Sequence, residues 1–217
     1  MAIAPATYGA VNELVIALGT WASLHTAAAG TTGVNEAAGG GYARQPITWT
    51  LSGNNALGNQ VSIPCGAGRY VELGVFSTQT GYLLPAPSGL AGTASGTGGT
   101  FTAATYYWVV CAINWQGSTV ASSEVSKTIA AGGSCALTWS AVTGASGYQL
   151  FRGTAPGAEN VLVATTTATS CIDTGAAGIA LSPPSTNTAS TFVGSTAFST
   201  GPLVVASGPV LATPSWT

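Results

Sequence analysis

From Tyr106 to Asp173 the sequence is a succession of short runs rich in β-branched and aromatic residues, broken by Gly, Ser, Ala and Asn. The runs are Tyr106–Asn114, Ser118–Ile129, Ser134–Trp139, Tyr148–Arg152, Val161–Thr165 and Thr169–Asp173. Their recurrence, at roughly 8–12 residues, is that of a β-sandwich. No run has the length or the 3.6-residue period of a helix. Two Pro/Gly/Ser-rich stretches bracket this block, PAPSGLAGTASGTGG at 85–99 and LSPPSTNTAS at 181–190. Both read as linkers. The paired linkers predict a domain at 84–189 inserted into another built from 1–83 and 190–217.

The flanking parts also read as mainly β. Trp21–Thr26, Tyr42–Leu51, Gln60–Pro64 and Tyr70–Ser77 are strand-like, Asn54–Asn59 carries turn chemistry, and strands resume after Phe192. One helix is expected, at Ala10–Leu18. There Val11, Leu14, Val15 and Leu18 share one face and Gly19 follows as a stop. The fold class is therefore all-β: two sandwich domains, the first with a short N-terminal helix.

Charge narrows the function. Only four Lys or Arg and six Asp or Glu occur in 217 residues, 5% against roughly 25% in ordinary domains. A net charge of −2 cannot supply the basic surface that nucleic-acid binding needs. Residues 74–123 are uncharged, yet polar residues interrupt them too often for a membrane-spanning helix. So few charges defend a surface poorly against association. A chain packed against its own copies or a partner is expected.

Two resemblances add to this reading. LTWSAVTGASGYQLFRG (137–153), TSCIDTG (169–175), YYWVVCAINWQG (106–117) and VASSEVSKTI (120–129) resemble a fibronectin type III module. They correspond in turn to its second and third, fifth, sixth and seventh strands. The sixth- and seventh-like strands come first here, so the resemblance implies a permuted sandwich. An unrelated Ig-like sandwich is the alternative. SLHTAAAGTTGVNEAAGGGYARQPITWT (23–50), GVFSTQTG (74–81) and FVGSTAFSTGPLVV (192–205) resemble small structural proteins of actinobacterial phages. Those are head decoration, capsid fibre or minor tail proteins. AAAG stands in the loop where Asp-Pro-Gly is commoner in that family.

The resemblance implies a non-enzymatic virion protein on the capsid surface. It would bind the major capsid protein, stabilise the shell and project the module, as a homo-oligomer for which a trimer is the first guess. The alternative is a minor tail or host-adhesion protein that binds cell-surface glycans. The residues agree with the lack of chemistry. His25 is the sole His, and the six acids stand singly, with no Cys-x-x-Cys and no Gly-x-Ser-x-Gly. No catalytic, cofactor or metal residue is expected. His25 reads as a strand-end donor to backbone.

Three local expectations remain. Glu36 and Arg44 flank the Gly-rich loop and are expected to pair and fix it, alongside Tyr42; two solvated side chains are the alternative. The module resemblance places Cys135 and Cys171 on neighbouring strands, facing inward. It makes a disulfide between them reasonable, with two buried thiols the alternative. Cys65 and Cys111 are expected to be free. Trp115, beside Gly117 in a turn, is the candidate exposed contact residue; an incidental turn aromatic is the alternative.

Overall fold

The computed structural model describes residues 19–52, 55–206 and 208–216. The helix expected at Ala10–Leu18 lies outside them. Among the described residues every regular element is a β-strand, and all pairings are antiparallel. The chain divides into a flanking unit, Met1–Tyr82 with Thr191–Thr217, and a central unit, Leu83–Ser190.

The flanking unit begins with β1 (Trp21–His25), β2 (Gln45–Pro46), β3 (Trp49–Ser52) and β4 (Asn55–Gly58). It continues with β5 (Val61–Ile63), β6 (Gly68–Tyr70) and β7 (Glu72–Phe76). The central unit holds β8 (Ala91–Ser95), β9 (Ala104–Ile113), β10 (Val125–Ile129) and β11 (Ser134–Thr138). Its remaining strands are β12 (Gly147–Gly153), β13 (Glu159–Thr166), β14 (Ser170–Asp173) and β15 (Ile179–Ala180). The chain then returns to the flanking unit with β16 (Phe192–Ala197), β17 (Leu203–Val205), β18 (Val210–Ala212) and β19 (Ser215–Trp216).

In the flanking unit the largest sheet has the order β16-β7-β1-β2, and three small sheets pair β17 with β6, β18 with β5, and β19-β4-β3. Alternation sends Ala22 and Leu24 of β1, with Leu73 and Val75 of β7, into a core shared with Ile47, Val61, Ile63, Tyr70 and Val210. Ser23 and His25 take the opposite face of β1, yet they too are buried. That second face is where the loop after β1 packs. The stretch 54–59 departs from expectation: its turn residues include β4, which pairs with β3 and β19.

The central unit is a sandwich. A five-stranded sheet, β10-β9-β12-β13-β15, faces a three-stranded one, β14-β11-β8. Between them lie Trp108, Val110, Ile129, Cys135, Leu137, Trp139, Tyr148 and Leu150. A smaller cluster of Val109, Cys111, Phe151 and Leu162 covers the other side of the larger sheet. Cys111 faces that cluster, as its phase against Trp108 and Val110 requires.

The first linker is only partly a linker. Ala91–Ser95, inside the stretch read as a domain boundary, forms the edge strand β8 against β11. Small residues are poor strand formers by propensity, but the pairing here rewards small size. Gly92 sits opposite Leu137, and a Cβ on it would come within 3.2 Å of Cys135 Sγ.

Leu137 is fully buried between the two sheets. Leu137→Ala is expected to destabilise the central unit by about 2–5 kcal/mol. A shift in the midpoint of urea denaturation measures it, and an unchanged midpoint would count against the assigned core.

Candidate functional site

The best-built feature of the flanking unit is the Gly-rich loop between β1 and β2. Its first half closes on itself. Thr26 N–H donates to Asn35 O, Ala37 N–H donates to Leu24 O, and His25 and Glu36 form a β-bridge. Asn35 turns the chain in the left-handed region (φ 59°), and its amide donates to Ala28 O at 2.8 Å. Gly33 takes φ +74°, and a Cβ there would lie 2.5 Å from Phe76 Cζ and 2.7 Å from the Phe192 ring. Only glycine fits on both counts. Glu72 on β7 accepts the Ala29 N–H at 2.9 Å and the Ser195 hydroxyl at 2.8 Å, tying the loop to the sheet.

Beneath this loop His25 is fully buried, stacked on Phe76 at 6.1 Å and edge-on to Phe192 at 5.8 Å. Its Nδ1 lies 2.9 Å from Val34 O, and a carbonyl can only accept. Nδ1 therefore carries the proton, and Nε2 accepts from the Ser23 hydroxyl at 2.9 Å. Burial lowers its pKa below the ordinary value, so the ring is held neutral. This is the donation to backbone that the sequence reading expects. The sequence does not show what makes room for the ring. Gly74 on β7 lies opposite Ser23, and a Cβ there would be 2.3 Å from His25 Nε2.

Glu36 and Arg44 are brought together at the second half of the loop. Arg44 Nε donates to Glu36 Oε1 and Nη2 to Oε2, each at 2.7 Å, with both side chains about 95% buried. Arg44 Nη1 donates to Thr78 O (2.9 Å) and Gly81 O (3.1 Å), so four of the five guanidinium N–H donors are engaged. The guanidinium carbon stands 3.3 Å from the Phe76 ring centre. The Tyr42 hydroxyl donates to Glu36 Oε1 at 2.5 Å. Burial alone would raise the Glu36 pKa, but the Arg44 and Tyr42 hydrogen bonds outweigh it and hold it below the usual value. The pair floors a cleft of about 320 Å³ flanked by Tyr42, Gln79, Thr80 and Tyr82. Because the charges satisfy one another, the arrangement acts as a clamp on three chain segments.

The central unit holds a second clamp, between strands that no sequence motif joins. Arg152 Nη1 donates to Asp173 at 2.8 Å and 3.0 Å, and Trp108 Nε1 donates to the same carboxylate at 2.8 Å. Gly175 N–H donates to Asp173 Oδ1 at 2.9 Å, closing an Asx turn, and Arg152 Nη2 reaches Ala176 O. The Asp-Thr-Gly sequence was the available signal, since Asp followed two residues on by Gly favours such a turn.

The remaining expectations fare differently. All four cysteines are free, and the Cys135–Cys171 bridge is not formed. The two strands are neighbours as expected, but the register sets Cys135 opposite Asp173 and Cys171 opposite Leu137. Diagonal partners stand ~7–8 Å apart, beyond the usual disulfide span. Burial pushes the Cys111 thiol up to about 12, so it is inert as a nucleophile. Trp115 is 49% exposed, in a turn that Asn114 holds by accepting from Gln116 and Gly117 N–H. Asn114 also donates to Ser190 O, so this turn lies at the end of the unit where the chain enters and leaves. The acids are less scattered than they look in sequence: Glu124 accepts the Gly157 N–H at 2.7 Å, two residues from Glu159, and its carboxyl is close enough to raise the Glu159 pKa. Among the described residues, no three His, Cys, Asp or Glu side chains converge on a point that could hold a metal. The chain matches no family model and no curated protein.

Two measurements follow from this geometry. Gly74→Ala should cost about 1–3 kcal/mol, read from urea denaturation, because the new methyl must displace His25 or Ser23. Stability carried by His25 should fall as pH drops below about 6.5, since the unfolded chain then takes a proton that the folded one refuses. His25→Gln should remove that dependence in a thermal-melting series. An identical pH profile in both proteins would contradict the neutral, buried ring.

Proposed function

We propose that this chain is a non-enzymatic structural protein of a phage virion. On this reading it decorates the outside of the head, binds the major capsid protein through its flanking unit, and projects the central unit as a fibronectin type III-like module. The observation that carries the reading is where the charges are. Arg44, Glu36, Asp173 and Glu159 are buried, Arg152 is largely covered, and only Arg69 and Glu124 among the described charged residues are exposed. The surface left behind carries little charge, being mostly small polar residues with some aliphatic ones. Val204 (77%), Ile179 (66%), Ile172 (65%) and Leu211 (63%) stand out in it.

The sheet edges point the same way. β8, β14 and β16 each border a sheet and carry no Lys, Arg or Pro. Such unguarded edges suit a protein held permanently in an assembly and are a hazard for one that must stay monomeric. Buried area against neighbouring subunits, about 1,600 Å² per ordinary interface, would stiffen a shell. A closed homo-oligomer, a trimer first, would cover these surfaces on every copy.

The module reading is supported by how the strands group. The second-like strand β11 pairs with the fifth-like β14, while the third-, sixth- and seventh-like β12, β9 and β10 share the other sheet. An Ig-type sandwich groups its strands in this way. Exposure of Trp115 favours the second reading, a minor tail or adhesion protein that grips glycans. Its place beside Ser190, rather than at the far end of the module, weighs against a projecting contact and keeps head decoration first.

Quantitative mass spectrometry of purified particles, with immunogold microscopy, tests this. Hundreds of copies on the head are expected. A few copies confined to the tail would overturn the decoration reading in favour of adhesion. Absence from the particle would overturn both.

A further inference from the structure

We propose that Glu124 and Glu159 share a single proton, and that this proton latches the β12–β13 hairpin tip, residues 154–158, to the segment leading into β10. The device sits at the end of the central unit opposite the one where the chain enters and leaves.

Glu159 opens β13, and Gly153 of β12 lies opposite it in a row that continues to Tyr107 of β9. Glu159 is 7% exposed, and its Oε1 has no hydrogen-bond partner. The exposed Glu124 carboxyl lies close enough to act on it. Glu124 in turn accepts the N–H of Gly157, in the hairpin tip, at 2.7 Å. The two acids thus connect the base of the hairpin, its tip and the chain before β10.

Two ionised carboxylates in this position would repel with no cation to compensate. Neither cation of the central unit pairs with either acid. Arg152 is bound to Asp173, and Lys127 pairs opposite Tyr106 and lies over Gly92. Tyr107 is the remaining ionisable group in the cross-strand row. One proton converts the repulsion into a short O–H···O⁻ bond, which is stronger than a neutral one. It also leaves Oε1 as the oxygen of a neutral acid, far less costly to bury than half of a charge. Burial together with Glu124 accordingly pushes the Glu159 carboxyl up to about 7.

The sign follows. Between the ordinary Glu value and about 7 the folded unit holds a proton that the unfolded chain has released. The latch is therefore closed in mild acid, and it opens as pH rises through neutrality. This dependence is opposite to that of His25.

Hydrogen exchange of the full chain, followed by mass spectrometry from pH 5.5 to 8.5 and corrected for intrinsic rates, tests the proposal. Protection of the peptide that covers residues 154–158 is expected to fall at least tenfold across neutrality. Glu159→Gln, whose amide can donate to Glu124 without titrating, should keep the acid-level protection throughout. Equal profiles in the two proteins would overturn the latch. So would restoration of protection at pH 8 by millimolar calcium, which would make the pair a cation site. Should the variant not fold, carboxyl carbon shifts of the wild-type chain decide. A Glu159 midpoint near neutrality supports the shared proton, and one near the ordinary Glu value overturns it.

Discussion

The buried Glu36–Arg44 pair is the interaction on which the flanking unit depends. Arg44 closes two bonds on Glu36, two on the backbone carbonyls of Thr78 and Gly81, and covers the Phe76 ring. It thereby joins the Gly-rich loop, the chain entering β2 and the turn after β7. A buried pair of this kind is no stronger overall than well-packed apolar residues would be. Its force lies in the penalty for any arrangement that leaves one charge unpaired, commonly about 3–5 kcal/mol. A loop of small residues has few side chains with which to choose a conformation. The pair makes the choice, and Gly33, Asn35 and Gly74 are the backbone concessions that let the loop lie flat on His25 and Phe76.

The central unit repeats the device with different parts. Asp173 gathers Arg152, the Trp108 indole and Gly175 at one end of the sandwich. A chain with ten charged residues has thus put two ion pairs and the Glu159 carboxyl inside. The surface keeps little charge, and its exposed aliphatic residues and unguarded sheet edges are what the proposed assembly role would cover. Internal order and the sparsely charged surface share one cause: five of the nine described charged residues, Glu36, Arg44, Arg152, Glu159 and Asp173, are used inside.

Much of this was legible in the sequence, and the failures have physical reasons. The strands from β9 to β14 stood out because β-branched and aromatic residues alternate between turns. The Glu36–Arg44 pair stood out because charges are rare and these two flank one loop. β8 was hidden because its residues are small, and only the opposing Cys135 and Leu137 give them a reason to extend. For the cysteines, the module resemblance turned both toward the core, where they lie, but a slip of two residues leaves every side chain on the same face. Register was therefore invisible, and with it the missing disulfide. Glu124 and Glu159 looked solitary because a hairpin and an irregular segment bring them together across a long stretch of chain. No local pattern records that meeting.

The most direct test of the clamp is a double-mutant cycle on the full chain, with Glu36→Gln, Arg44→Met and the double variant compared by urea denaturation at pH 7. The expected coupling energy is about 2–3 kcal/mol, each single change costing far more than its share of the double. Additive effects, with coupling below about 0.5 kcal/mol, would contradict the claim that this pair sets the loop.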